Sequence, residues 1–388
     1  MRYSPLVDRL GGPGAQAWDI HDAAVAAKAA GRDVIFASVG DPDFDTPEPV
    51  TARALTALRA GDTHYTAVIG RAHLRAAIAA RLSTSGGPPL SADQVVVVAG
   101  AQNGLFATAL CLTDAESEVI VIEPAYVTYE ATFSLAGAKL VRVGLDPDTG
   151  FRLDADAIAR AVTPRTRAIL FSNPNNPTGT VATAAELEAV AAIAQTHDLW
   201  VIVDEVYGSL TFERPHVSLA ALPGMAARTA TIGSLSKSHA MTGWRIGWVV
   251  GPEALVRHLN RLVLNMLYGL PGFVQEAAVT ALADHDAIAA GMARQYRRRR
   301  DLVVEGLRDV PGLRVLSPEA GMFVLLDVRA SGRAPLDLAW AIFHETGISL
   351  LDASAFGAAS HGFLRMSFAA HDDVLREACR RLRKFMSG

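Results

Sequence analysis

Five polar clusters in this chain each follow a short apolar run. Gly100-Ala101-Gln102-Asn103-Gly104 comes after 95–99, and Glu123-Pro124-Ala125-Tyr126 after 118–122. Asn173-Pro174-Asn175-Asn176-Pro177-Thr178-Gly179 comes after 168–172, and Asp204-Glu205-Val206-Tyr207 closes 200–204. Ser234-Leu235-Ser236-Lys237 follows 229–233, with Arg245 eight residues further on. The glycine cluster opens a helical pattern, and free N–H groups at a helix start cradle a phosphate. A carboxylate closing an apolar strand, as Asp204 does, is costly to bury without a cationic partner. Two prolines among polar residues make 173–179 a structured, ligand-facing loop. Lys237, set among Ser234, Ser236 and Ser238, does not look like a solvated surface lysine. Each cluster also has a plain reading: a strand-to-helix turn, a tight turn, a helix cap for Asp204, an ordinary lysine.

The elements that must carry these clusters are legible. Runs at 95–99, 118–122, 139–143, 168–172, 200–204, 229–233 and 245–250 alternate with helical patterns. Runs this apolar are buried on both faces, as in a mostly parallel sheet covered by helices. Ligands of open α/β sheets bind beyond the carboxyl ends of the strands, so five strand ends bearing five clusters predict one composite site. A helix is expected near 19–30, closed by Gly31, and Pro47 suits the first position of another. Residues 252–310 read as mainly helical. The Arg297–Arg300 run within them reads as a solvated helix face, with anion binding as the alternative. The tail mixes strands (323–328, 363–368) with helices (336–346, 372–386), consistent with a smaller α+β lobe.

Composition removes other classes. Length alone, 388 residues, favours two or three domains. A net charge of −4 gives no basic field for nucleic acid. Two cysteines, Cys111 and Cys379, make neither a disulfide framework nor a zinc site, so a cytoplasmic location is expected. No apolar run reaches membrane-spanning length, and the start Met1-Arg2-Tyr3-Ser4-Pro5 lacks a signal core. Motifs of nucleotide-phosphate loops, dinucleotide folds, zinc proteases and serine hydrolases are missing, and the histidines lack ligand spacing, so no metal is expected. Only four basic residues are lysines: Lys28, Lys139, Lys237 and Lys384.

The motifs GDPDFDTP (40–47), HYTAVIG (64–70), NPNNPTG (173–179), DEVY (204–207), SLSK (234–237), GWRIGW (243–248) and LRMSF (364–368) resemble, in order and spacing, those of fold type I pyridoxal-phosphate enzymes. The resemblance is to the aspartate-aminotransferase superfamily and spans essentially the whole chain. It implies a three-layer αβα large domain with a mostly parallel sheet over 46–288. A smaller α+β domain would form from 1–45 and 289–388. It also implies pyridoxal 5'-phosphate as cofactor, amino acids and 2-oxo acids as substrates, and a homodimer with shared sites. Lys237 would be the lysine that forms an imine with the cofactor aldehyde and carries a proton as free base. Asp204 would pair with the pyridine nitrogen, Tyr207 and Asn176 would bond the ring's phenolic oxygen, and Tyr126 would stack on the ring. Gly100, Ala101 and Gln102 at the helix start, with Ser234, Ser236 and Arg245, would hold the phosphate. Arg365 would grip the substrate α-carboxylate, with Gly40 and Asn176 nearby, and Tyr65 would reach the neighbouring subunit's phosphate. Asp41 stands where the family usually has glutamate.

Stretches around Trp18, Ser38–Pro42, Leu235–Trp244 and Met266–Gly269 look like those of bacterial arginine–pyruvate transaminases. That likeness implies a ping-pong transfer of the α-amino group from L-arginine to pyruvate, with Trp18 either covering the substrate or anchoring the core. Asp19 or Asp22, beside Trp18, would then offer a carboxylate to the guanidinium, unless they serve only the helix end. The same scaffold also supports other donors (aspartate, aromatic residues, lysine, glutamine), decarboxylases and C–S β-lyases. A non-catalytic ligand-sensing module is the remote alternative.

Overall fold

The computed structural model describes residues 2–4, 6–10, 17–83 and 89–388. Met1 and Pro5 of the chain's start therefore lie outside the described residues. Among the described residues, seven strands form one sheet in the order β2-β8-β7-β6-β5-β3-β4. They are β2 (Val95–Val98), β3 (Glu118–Glu123), β4 (Lys139–Gly144), β5 (Thr166–Ser172), β6 (Trp200–Asp204), β7 (Thr229–Ser234) and β8 (Gly247–Val250). β3 to β7 run parallel, and β8 runs antiparallel to both its neighbours.

Alternation along the strands sorts their side chains to two faces. Val119, Val121, Leu170, Ile202 and Ile232 pack with Leu105, Tyr129, Leu255 and Leu259. Those partners lie on α4 (Ala101–Leu112), α5 (Thr128–Leu135) and α8 (Glu253–Met266). Ile120, Ile122, Ile169, Phe171, Val201 and Val203 face the other way, with Ile158 of α6 (Ala155–Ala161) and Leu187 and Val190 of α7 (Ala184–Thr196). Val95, Val97 and Trp248 continue that side against α2 (Glu48–Arg59), α3 (Ala72–Ser83) and α9 (Gly272–Ala283). Burial on both faces explains the unbroken apolar runs. The result is a three-layer αβα unit.

A smaller α+β unit uses both ends of the chain. An antiparallel sheet β12-β13-β10-β9 joins Leu351–Asp352, Phe363–Ser367, Phe323–Asp327 and Arg314–Leu316. β1 (Ile35–Phe36) pairs in parallel with β11 (Ile348–Ser349). Around them lie α1 (Asp19–Ala29), α11 (Pro335–Thr346) and α12 (Asp372–Ser387), and α10 (His285–Gly306) runs in from the larger unit.

Three local expectations are corrected. Pro47 sits just before α2 as its cap residue, and Pro49 lies inside the first turn. Arg245 is not part of a strand: its backbone is left-handed (φ 54) at the end of a short 3-10 turn, and β8 starts at Gly247. The arginine run is not a solvated face. Arg299 and Arg300 are 2% and 6% exposed. Arg299 pairs with Asp43 at 2.6 Å and Asp372 at 3.5 Å and stacks on Phe44. Arg300 pairs with Glu213 at 2.7 Å and bonds the Pro318 carbonyl. A four-residue run wraps more than one helical turn, so its members cannot share one solvent face.

Candidate active site

Asp204 ends β6 in phase with Ile202, which aims its carboxylate toward α4 and α5. The Tyr129 hydroxyl of α5 donates to its Oδ2 at 2.9 Å, and the Val206 amide donates to Oδ1 at 3.2 Å. Burial pushes the carboxyl up to about 6, against the pull of these two donors and of Lys237. The ionised form is thus held by specific partners rather than by water.

Lys237 follows β7, and its Nζ donates to the Gly40 carbonyl at 2.7 Å. Burial pushes the amine down to about 8; Arg365 and Arg245 add to the drop, while Asp41 and Asp204 oppose it. An amine that gives up its proton near neutrality can act as nucleophile or base.

Gly100 caps α4 with φ 78, which a side chain adopts only under strain. A Cβ there would lie 2.2 Å from Arg245 Nη2, so glycine lets the guanidinium close on the helix start. Arg245 donates to the Thr242 carbonyl at 2.7 Å and the Ala99 carbonyl at 3.3 Å. The Ser234 hydroxyl donates to the Ile246 carbonyl at 3.0 Å, lies 2.8 Å from Ser236 Oγ and accepts the Ser236 amide at 2.9 Å. The first-turn amides of α4 have no partner within the helix. Two hydroxyls, an arginine fork and a helix N-terminus converge here, a donor set suited to a phosphate.

Arg365 on β13 is the largest fully buried side chain, at 2% exposed. It donates to the Ser38 carbonyl at 2.6 Å and to Asn176 Oδ1 at 3.2 Å. Its guanidinium lies over the rings of Phe323 (3.9 Å) and Phe356 (4.7 Å). No carboxylate among the described residues pairs with it, and its Nε lacks an acceptor. Burial pushes its proton affinity down to about 10. A buried cation without counter-charge suits a carboxylate brought by a substrate.

Of the residues expected to hold the cofactor and the substrate carboxylate, all but Gly100 and Tyr65 line one cavity of about 280 Å³. Trp18, Gly40, Tyr126 and Tyr207 are among its walls. Burial drives the Tyr207 phenol above its ordinary value, so it remains a donor. Tyr65 is 85% exposed and packs on Tyr268, ring centroids 4.7 Å apart, outside the cavity. Asp19 faces a separate cavity with Trp340 and Asp352. Asp22 lies exposed on α1 and lines neither cavity, and no side chain caps that helix.

Sequence reasoning missed Tyr129 and the two phenylalanines over Arg365. Tyr129 carried a signal. It lies three residues after Tyr126, and the two rings meet edge to face at 5.9 Å. Phe323 and Phe356 had none, since only the pairing of β10 with β13 and the 3-10 turn Ala353–Phe356 after β12 bring them over Arg365.

Comparison with known proteins gives a consistent picture. The family model described as aminotransferase class I and II matches residues 32–382. The arginine–pyruvate transaminase AruH of Pseudomonas aeruginosa is 50% identical over 382 residues, 98% of this chain and 97% of that protein. An aspartate/prephenate aminotransferase of Cereibacter sphaeroides is 36% identical over 93% of both chains. Thermus thermophilus aspartate aminotransferase, solved with maleate, superposes with a TM-score of 0.93 at 32% identity, covering 99% of this chain and all of that one. Proteins of this kind generally depend on pyridoxal phosphate.

Proposed function

This chain belongs to the class I and II aminotransferases, and from that premise we propose that it transfers the α-amino group of L-arginine to pyruvate with pyridoxal 5'-phosphate as cofactor. The observation that carries the cofactor is one cavity joining a buried amine, a buried carboxylate, a phosphate-type donor set and an unpaired buried arginine. The observation that carries the substrates is the 50% identity with an arginine–pyruvate transaminase across nearly all of both chains.

Ala101 and Gln102 amides, Ser234, Ser236 and Arg245 would hold the phosphate, and Tyr126 would face the ring. Asp204, with Tyr129 behind it, would keep a proton on the pyridine nitrogen, and Tyr207 and Asn176 would bond the phenolic oxygen. Bound there, the cofactor supplies an electron sink for charge developing at the substrate's α-carbon. Arg365 holds the substrate carboxylate and so fixes where the α-carbon sits. Lys237 Nζ, freed from Gly40, takes the α-carbon proton, and its lowered affinity suits it to return that proton. Trp18, another wall of the same cavity, would limit water at that carbon.

The assembly belongs to the same proposal: a cytoplasmic homodimer in which the exposed Tyr65 serves the partner's site. Residues 46–288 form the cofactor domain, with 1–45 and 289–388 as the small domain. No helix among the described residues is long and apolar enough to cross a membrane. The test is a panel of L-amino acids assayed with pyruvate and with 2-oxoglutarate. L-Arginine with pyruvate, yielding alanine and 5-guanidino-2-oxopentanoate, is expected to have the highest kcat/KM. A higher value for aspartate, lysine, glutamine or aromatic donors, or keto-acid-independent release of pyruvate from cystathionine, overturns the specificity.

A further inference from the structure

Tyr65 stands 85% exposed on the segment 62–71, which contains no helix or strand. Surface backbone of that kind is ordinarily the more mobile part of a protein. This segment is instead tied down along its length. Asp62 and Arg71 close its two ends on each other through an ion pair. The Ile69 carbonyl accepts the Val97 amide at 3.0 Å and so occupies the free edge of β2. Gly70 (φ 99) permits that approach, since a Cβ there would lie 2.4 Å from Val97 Cγ2.

The remaining anchor is Gln275, one turn into α9 and 0% exposed. Its Oε1 accepts the Arg71 amide at 2.8 Å. Its Nε2 donates to the Thr66 hydroxyl and to the Leu270 carbonyl, each at 2.9 Å. Only this orientation of the side-chain amide gives the Arg71 N–H an acceptor and the Leu270 carbonyl an amide donor. The next residue of α9, Glu276, accepts from Arg71 Nη1 at 2.6 Å. The helix thus holds Arg71 by main chain and side chain together, and holds Thr66, the residue next to the exposed tyrosine. A group that must meet a ligand within about 0.5 Å needs its backbone fixed from behind in this way.

We propose that Gln275 is a positioning residue for the neighbouring subunit's cofactor, fixing through Thr66 and Arg71 the loop that carries Tyr65 across the dimer. The inference rests on the shared-site reading of Tyr65 and adds to it the group that sets where Tyr65 stands. Gln275 lines no part of its own chain's cofactor cavity, so its effect passes through the loop.

The test is a double-mutant cycle on holoenzyme. Its readout is the rate at which cofactor absorbance is lost on dilution, with a phosphatase present to consume released pyridoxal phosphate. Each rate is read at a concentration where sedimentation shows the variant assembled as the wild type is. Tyr65→Phe is expected to raise the rate roughly tenfold. Gln275→Met, which keeps the shape and removes all three bonds, raises it by a similar factor, and Thr66→Val by less. Thr66→Ser, which keeps the hydroxyl, retains the wild-type rate. In a Tyr65→Phe background, Gln275→Met and Thr66→Val add nothing further. Factors that multiply instead would make Gln275 merely structural and overturn the inference. Where Gln275→Met does not fold, Thr66→Val and Thr66→Ser carry the same cycle. Acceleration by Tyr65→Phe with no change in the other variants overturns the inference alone. An unchanged rate in Tyr65→Phe overturns the shared-site reading and the inference with it.

Discussion

Tyr129 and Lys237 show how the site is tuned residue by residue. The Tyr129 hydroxyl is a neutral donor to a buried carboxylate, a bond that contributes about 1.5–3 kcal/mol. Tyr129→Phe is therefore expected to weaken cofactor binding roughly ten- to a hundredfold, read by absorbance titration of the cofactor-free protein, while the fold persists. Unchanged affinity would remove Tyr129 from the site. Burial lowers the Lys237 amine from 10.5 to about 8, so it is protonated below that pH and free base above it. In cofactor-free protein, acylation of Lys237 followed by peptide mass mapping should reach half its maximal rate near pH 8. At this scale the sequence was generous. Strand-end position singled out Asp204, because a polar residue ending an apolar run is visible in one dimension, and the serines around Lys237 and its spacing to Arg245 singled out the lysine. Arg365 was not visible that way. Its meaning lies in the absence of a carboxylate around it, which only packing reveals.

The elements carry the site by phase. Val203 and Asp204 are adjacent in sequence yet serve opposite faces of the sheet, which the period-two rule predicts once β6 is recognised. The parallel sheet was legible because its strands are buried on both sides. The arginine run was misread because helical periodicity shows which residues share a face, not what packs against it. Arg299 ties α10 to Asp43 before α2 and to Asp372 at the start of α12, with its own side chain 3% exposed. Removing one partner of a buried ion pair strands the others. Arg299→Ala is expected to lower stability by about 3–5 kcal/mol in denaturant unfolding, with a smaller loss for Arg297→Ala, whose partner Glu213 is 3.7 Å away near the surface. Equal losses would mean that Arg299 does not bridge these elements.

For the whole molecule, a single chain leaves Tyr65 at 85% exposed, and Tyr268, Leu264, Leu55 and Leu58 are exposed as well. A two-fold dimer would give such residues a purpose. Sedimentation should report a dimer, and Tyr65→Ala should weaken cofactor binding although the residue lies outside its own chain's cavity. Cofactor affinity equal to wild type would deny it a place in the partner's site. The thirty-two arginines beside four lysines give the most direct test of the central claim, because they leave few amines to confuse the result. Holoenzyme reduced with borohydride and mapped by peptide mass spectrometry is predicted to carry one pyridoxyl group per chain, on Lys237. A pyridoxyl group on Lys28, Lys139 or Lys384, or none on any lysine, would contradict the account.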